Sequence, residues 1–282
     1  DSYAAAMDEA GIEKAGFDPL QTALAEIDAL KDSAGLVALI NRWHANGLSV
    51  LFGFGKEADL KNSAMNIAYA TQGGLGMPDR DYYTKDDPDS KTLRDKYVAH
   101  VERMLTMLGT DATQAKRDAD AIMALETRLA KASLTQLELR DPNKSYNLVA
   151  LDVANKAMPH YDWNALVAAI GRKDIATFSF SHPAFFAEMD KALADTPIAT
   201  WQAYLRWHLI DTAAPYLSKS FVDADFDFSG RTLRGAKELR PRWKRAVDAV
   251  NANLGEALGE LFVAKTFPPE AKAEMLTLVQ NL

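Results

Sequence analysis

Two short stretches of this 282-residue chain gather side chains that can bind or move charge: Asp79-Arg80-Asp81-Tyr82-Tyr83 and Arg140-Asp141. A guanidinium is a planar fork of donors shaped to a carboxylate, so either arginine could hold the carboxylate of a bound peptide. The same residues could instead close a loop-to-loop ion-pair network, each arginine satisfying aspartates and backbone carbonyls nearby. Their setting in Gly- and Pro-containing loops favours the second reading. Carboxylate pairs, Asp79 with Asp81 or Asp223 with Asp225 and Asp227, have the right type for acid-base work. With 39 acidic residues in the chain, such spacings also arise by chance, and capping or solvation is the simpler expectation.

The histidines narrow the chemistry further. They are His44, His100, His160, His182 and His208. Two imidazoles on one helix reach a common zinc only when they stand about one turn apart, with a glutamate between them as base. No pair here has that spacing. There is no cysteine, which excludes disulfides and thiolate chemistry, and no G-x-S-x-G elbow. No catalytic and no metal-ligating residue is therefore assigned.

The elements that must position the first stretch can be read from the residues around it. Gly73-Gly74-Leu75-Gly76-Met77-Pro78 is a loop, since its glycines permit angles other residues resist and Pro78 keeps Met77 out of the helical region. Before it, Ser49–Phe54 and Ala64–Ala70 read as two strands joined by a polar turn, a β-hairpin that delivers the chain to the loop. Elsewhere the period is helical. A stripe of Leu93, Tyr97, Val101, Met104 and Leu108 predicts one long helix. A second, capped by Asp111, carries Ile122, Leu125 and Leu129, with Glu126 and Arg128 off the apolar stripe. Later helices place Trp201, Tyr204, Trp207 and the Trp243–Leu261 stripe in the core, and the Arg240, Arg242, Lys244 and Arg245 cluster on a solvated face. Phe178-Ser179-Phe180 reads as a short extended piece. The fold class is mainly α: a single multi-helix domain of about ten helices with one small β-hairpin.

Composition agrees with a globular chain, 48% apolar and 25% charged. A net charge of −7 supplies no basic field for phosphates, which argues against a nucleic-acid partner. No apolar run is long enough to span a membrane. The chain begins with Asp1 rather than Met, and its last helix has no stop signal, so a boundary within a longer protein is expected at both ends.

Gly74-Leu75-Gly76-Met77-Pro78-Asp79-Arg80-Asp81-Tyr82-Tyr83 resembles the G-L-G-L-P-x-R-D-Y-Y segment of the neprilysin family of zinc metallopeptidases, which includes the endothelin-converting enzymes and bacterial oligopeptidases. Met77 for leucine is the departure. Arg140-Asp141-Pro142 with Tyr146-Asn147 resembles a second segment of that family. Val250-Asn251, with Gly259 and Leu261-Phe262-Val263, resembles a third. The order of the three spans nearly the whole chain.

The resemblance implies the N-terminal helical lid domain of such a peptidase over residues 1–282. Zinc and the H-E-x-x-H helix are then expected in a catalytic domain outside this sequence. Its partners would be that catalytic domain of the same polypeptide and small peptide substrates, in a periplasmic or secreted bacterial protein. Two other classes remain open: a stand-alone helical module that binds peptides or a protein, and a hydrolase built on Asp223 and Asp225.

Overall fold

The structure, a computed structural model, describes residues 2–281. Two short helices open it, α1 (Ser2–Met7) and α2 (Glu9–Ala15). Gly11 lies inside α2, where its N–H donates to the capping Asp8 carboxylate at 3.0 Å. Helices α3 (Gln21–Asp28) and α4 (Ser33–Ala45) follow, the latter started by the Asp32 carboxylate on Gly35 N–H.

The hairpin is longer than the sequence suggests. Strands β1 (Phe52–Asp59) and β2 (Asn62–Gln72) pair antiparallel around a turn at Leu60 and Lys61. The strand cannot begin at Ser49, because buried Leu51 has φ +72 and Phe52 N–H turns back to Val50 O at 2.9 Å. That is a strained turn for a residue with a side chain.

Next come α5 (Asp81–Thr84), α6 (Pro88–Met107) and α7 (Ala112–Ala132). Asp87 and Asp111 cap the last two, and Pro88 sits where its missing N–H costs nothing. After α8 (Pro142–Ser145), strand β3 (Leu148–Ala150), α9 (Leu151–Ala157) and α10 (Trp163–Ala169), strand β4 (Thr177–Phe180) completes a sheet of order β1-β2-β4-β3. β4 runs parallel to β2, with Ala68 opposite Phe178, and antiparallel to β3. The hairpin is thus half of a four-stranded sheet. One of its faces is sealed by aromatic rings around Trp163, including Phe52, Tyr161, Phe178, Phe180 and Phe186 at 4.7 to 5.7 Å.

Helices α11 (Pro183–Asp195), α12 (Ile198–Ala213) and α13 (Lys219–Asp225) follow, then a wide π turn over Phe226–Thr232. Pro215 ends α12. Two further helices, α14 (Arg242–Thr266) and α15 (Pro269–Gln280), close the described chain. The architecture is mainly α, 67% helical with fifteen helices among the described residues.

One expectation fails at the end of the chain. Trp201, Tyr204 and Trp207 are buried, whereas Trp243 is 51% exposed and α14 buries only Ala246. The period of the Trp243–Leu261 stripe is helical, as read. Periodicity specifies a face but not whether anything within the chain covers it.

Candidate functional site

The Gly73–Tyr83 loop ends on a carboxylate buried beneath it. Tyr83 sits on the single turn of α5, Tyr97 on α6 and Glu126 on α7. Both tyrosine hydroxyls donate to Glu126 Oε2, each at 2.6 Å. His208 of α12 places Nε2 3.0 Å from the other oxygen, Oε1. The cluster continues outward: Trp207 Nε1–H donates to Tyr97 Oη at 2.9 Å, and Met77 N–H donates to Tyr83 Oη at 2.9 Å. Glu126 has no solvent exposure. An isolated carboxylate there would cost several kcal/mol, and three donors from three other helices offset that cost.

Glu126 is therefore a correction to the expectation that it lies off the apolar stripe. It stands four residues after Ile122 and three before Leu129, so helical geometry alone puts it on the buried face. Its charge argued the other way, and only donors from distant parts of the chain reverse that argument. A charged residue at a core position of the helical repeat was the signal available in sequence.

The loop glycines are fitted to this cluster. A Cβ on Gly76 would stand 2.1 Å from Tyr97 Oη and 2.9 Å from Trp207 Nε1. Gly74 has φ +73, and a Cβ there would meet Leu51 O at 2.6 Å, while Tyr204 Oη donates to Gly74 O at 3.0 Å. Burial pushes the Tyr83, Tyr97 and Tyr204 hydroxyls well above their usual range, with the Glu126 charge adding to the effect. They stay protonated donors, a property suited to holding a loop rather than to proton transfer.

The residues singled out from sequence divide. Arg80 Nη1–H donates to Ser133 O at 2.8 Å, just past the end of α7, where the macrodipole favours a cation. Its Nε is buried without a partner, so its guanidinium is directed into the protein. Asp79 accepts from Asp81 N–H at 2.8 Å, and Asp81 pairs with Lys85 at 3.2 Å on the surface. Tyr82 packs against the core, and its carbonyl accepts from Arg94 at 3.0 Å. Arg140 is exposed, and Asp141 caps α8 through Asn143 N–H at 2.9 Å. Among the described residues no hydrogen bond or ion pair joins Arg80 or its flanking aspartates to Arg140 or Asp141. The loop is held by tyrosines and backbone groups in place of an ion-pair network. On the outer side, Asp79, Asp81, Tyr82, Lys85 and Asp89 border a shallow depression of about 330 Å³.

The other candidates do not converge. Asp223 pairs with Lys219, and Asp227 with Arg103 and Arg231. Burial raises the Asp225 carboxyl, opposed by a hydrogen bond from Ser229. The histidines are equally dispersed. His44 bonds Val50 O at 3.1 Å, His160 pairs with Asp190 at 2.9 Å, and His100 stacks on Phe228 at 4.9 Å. His182 Nδ1 accepts from Gln72 N–H at 2.8 Å. Among the described residues no group of three or more His, Cys, Asp or Glu side chains could hold a metal ion, so these residues do not fit a zinc site. The solvated-face expectation for the basic cluster holds only in part, because Arg242 and Arg245 donate to Ala6 O and Pro215 O and burial lowers the Arg245 guanidinium.

Comparison with known proteins gives these details a setting. The model of a family described as peptidase family M13 matches residues 1–282. Endothelin-converting enzyme 1 of Rattus norvegicus is 27% identical over 96% of this chain and 37% of its own length. The zinc metalloprotease Zmp1 of Mycobacterium tuberculosis, solved in an open state, is 34% identical with a TM-score of 0.93, over 99% of this chain and 44% of that chain. PepO from Lactobacillus rhamnosis shares the fold at 18% identity and a TM-score of 0.82. The chain thus spans well under half the length of these relatives. Among the described residues no helix is long and apolar enough to cross a membrane. This chain belongs to peptidase family M13 and corresponds to the N-terminal domain of its zinc metallopeptidases.

Proposed function

We propose that residues 1–282 form the non-catalytic lid of a peptide chamber in a zinc metallo-endopeptidase, working with a catalytic domain of the same polypeptide. The observation that carries this reading is the use made of the Gly74–Tyr83 segment. Met77 N–H and the Tyr83 hydroxyl are consumed in locking the loop onto Glu126, and Arg80 is turned inward. What such a segment contributes is shape: a stiff wall that excludes water and admits only peptides of limited size.

Zinc, bound in the other domain, would activate the water that attacks the peptide carbonyl. This chain's residues take no part in that step and act by enclosing the substrate. Asp79, Asp81 and Tyr82 edge the depression on the loop's outer side and are the members of the motif available to face a peptide. The family setting points to a periplasmic or secreted protein.

The test is direct. Purified residues 1–282 should hold no stoichiometric zinc and leave a bradykinin-sized peptide intact, while the polypeptide continued through its own reading frame should cleave it in a chelator-sensitive way. Chelator-sensitive cleavage by residues 1–282 alone, or a continuation without peptidase activity, would overturn the reading.

A further inference from the structure

The start of α14 brings two arginines to one cleft and leaves both short of an anion. Arg242 and Arg245 stand three residues apart, so they share a side of the helix. Both are half-buried, and both are held by backbone oxygens. Arg242 Nη1–H donates to Ala6 O at 2.9 Å. Arg245 donates through Nε to Arg240 O at 3.2 Å and through Nη1 to Pro215 O at 3.4 Å. Among the described residues no carboxylate accepts a hydrogen bond from either guanidinium. Glu9 Oε1 is 3.7 Å from Arg242 Nε, Asp248 is taken by Arg240, and Asp223 by Lys219. The first turn of α14 has no acidic residue to offset the pair. Burial lowers the Arg245 guanidinium, and the charge of Arg242 lowers it further. Charges drawn out of water in this way are stabilised when a matching ion is drawn in beside them.

The cleft that these arginines border holds about 350 Å³, at the small end of the range for small-molecule sites. Its walls come from Ala6 of α1, Ile12 of α2, Pro215 after α12, and Ala246 and Ala249 of α14. Alanines on facing helices leave room that longer side chains would fill, and the arginine stems extend the apolar lining. The result is an apolar volume with two fork-shaped donors at its edge. A carboxylate answers a guanidinium fork with its two oxygens. A phosphate dianion suits the cleft less well, because it would carry two charges between apolar walls and face Asp248, which also lines the cleft.

We propose that this cleft is a binding site for a monocarboxylate with a short apolar body. The carboxylate lies against Arg242 and Arg245, and the body among Ala6, Ile12, Ala246 and Ala249. That chemistry is shared by a free fatty acid of medium length and by the C-terminal residue of an apolar peptide. The site goes beyond the lid reading and does not depend on it. Its walls belong to the first two helices, the turn after α12 and the start of α14, so an occupant ties the beginning of the chain to its last third. Binding therefore raises the melting temperature as well as filling the cleft.

Titration calorimetry of residues 1–282 with octanoate and with N-acetyl-leucine tests the site. At least one of them should saturate a single site with a dissociation constant of about 1 mM or tighter; the tighter of the two names the source. Octanamide and N-acetyl-leucinamide keep the apolar body and lose the charge, and each should bind more than about tenfold more weakly than its acid. Arg245→Gln should erase that preference. Ala249→Leu decides the matter even where the arginine variant does not fold. It fills the cleft, leaves both arginines in place, and should abolish binding of all four compounds without lowering the melting temperature. No saturation by either acid, equal affinity for acid and amide, or binding that survives Ala249→Leu would overturn the proposal. Binding that disappears in the polypeptide continued through its own reading frame would do the same, since a protein group would then hold the cleft. None of these outcomes bears on peptide cleavage, on which the lid reading stands or falls.

Discussion

Tyr83 and Tyr97 donate to the same oxygen, Glu126 Oε2, at equal distances of 2.6 Å. One tyrosine closes the Gly74–Tyr83 loop motif, and the other lies in the middle of α6. Their meeting point joins loop, α6 and α7 at a site from which water is excluded. Because the hydroxyl of Tyr97 also accepts from Trp207, α12 is drawn into the same lock.

Removing either partner should be costly in unequal ways. Tyr97→Phe strands Trp207 Nε1–H and one Glu126 lone pair, and should cost about 2–3 kcal/mol by urea denaturation. Glu126→Gln puts an amide against hydroxyl donors and should cost about 3–5 kcal/mol. The double variant should cost clearly less than the sum, since both act on one network. Additive losses would show that the network is not a unit.

Loop glycines offer a sharper contrast. Gly76→Ala drives a methyl into Tyr97 Oη, and Gly74→Ala adds strain at positive φ to a clash with Leu51 O. Each should destabilise by about 2–4 kcal/mol. Gly55→Ala, on β1 with no atom within 4 Å of the added Cβ, should be neutral or stabilise by up to about 1 kcal/mol. Equal effects at the three positions in thermal melts would sink the fitted-loop account.

Arg80 and Arg140 look alike in sequence and should behave differently. Arg80→Ala loses the donor to Ser133 O at the end of α7 and should cost about 1–2 kcal/mol. Arg140→Ala, at an exposed position, should stay within about 0.5 kcal/mol. If Arg80→Ala left stability untouched and raised only the KM of the peptidase, the arginine would belong to substrate instead.

Stability should also depend on pH in a definite direction. Burial lowers His100 and His182 to about 4, and at His182 the Gln72 N–H already occupies Nδ1. The unfolded chain takes up these two protons as pH falls from about 6.5, the folded chain only near 4. Stability from the neutral rings is therefore present above pH 6.5 and lost toward pH 4, by up to about 3 kcal/mol per ring.

Asp211 opposes this trend, because burial raises it to about 6. Its protonated form favours the fold, a contribution full below pH 4 and lost as pH rises through 6. Two rings outweigh one carboxyl, so urea stability should climb between pH 4 and 6.5 with a slope near one proton. Asp211→Asn should add about 2 kcal/mol above pH 6 and little below pH 4.

Sequence by itself determined the helical class, the start of α7 at its Asp111 cap, and the loop with its three ordered family segments. Those features are local: caps, apolar spacing, proline and glycine act within a turn or two of where they are written. It also showed that the histidines cannot share a metal from one helix face, since spacing alone decides that.

Tertiary structure decided the rest, because each remaining question concerned a partner far away in the chain. Glu126 is buried only because Tyr83, Tyr97 and His208 arrive from three other helices to receive its charge. β4 joins the sheet because β2 offers it an edge, and β3 because β4 offers the next. The stripe on α14 has the same period as the core stripe on α6, yet α7 and α12 cover the one and no element among the described residues covers the other. Period tells which face is apolar; contact across the fold tells whether it is inside.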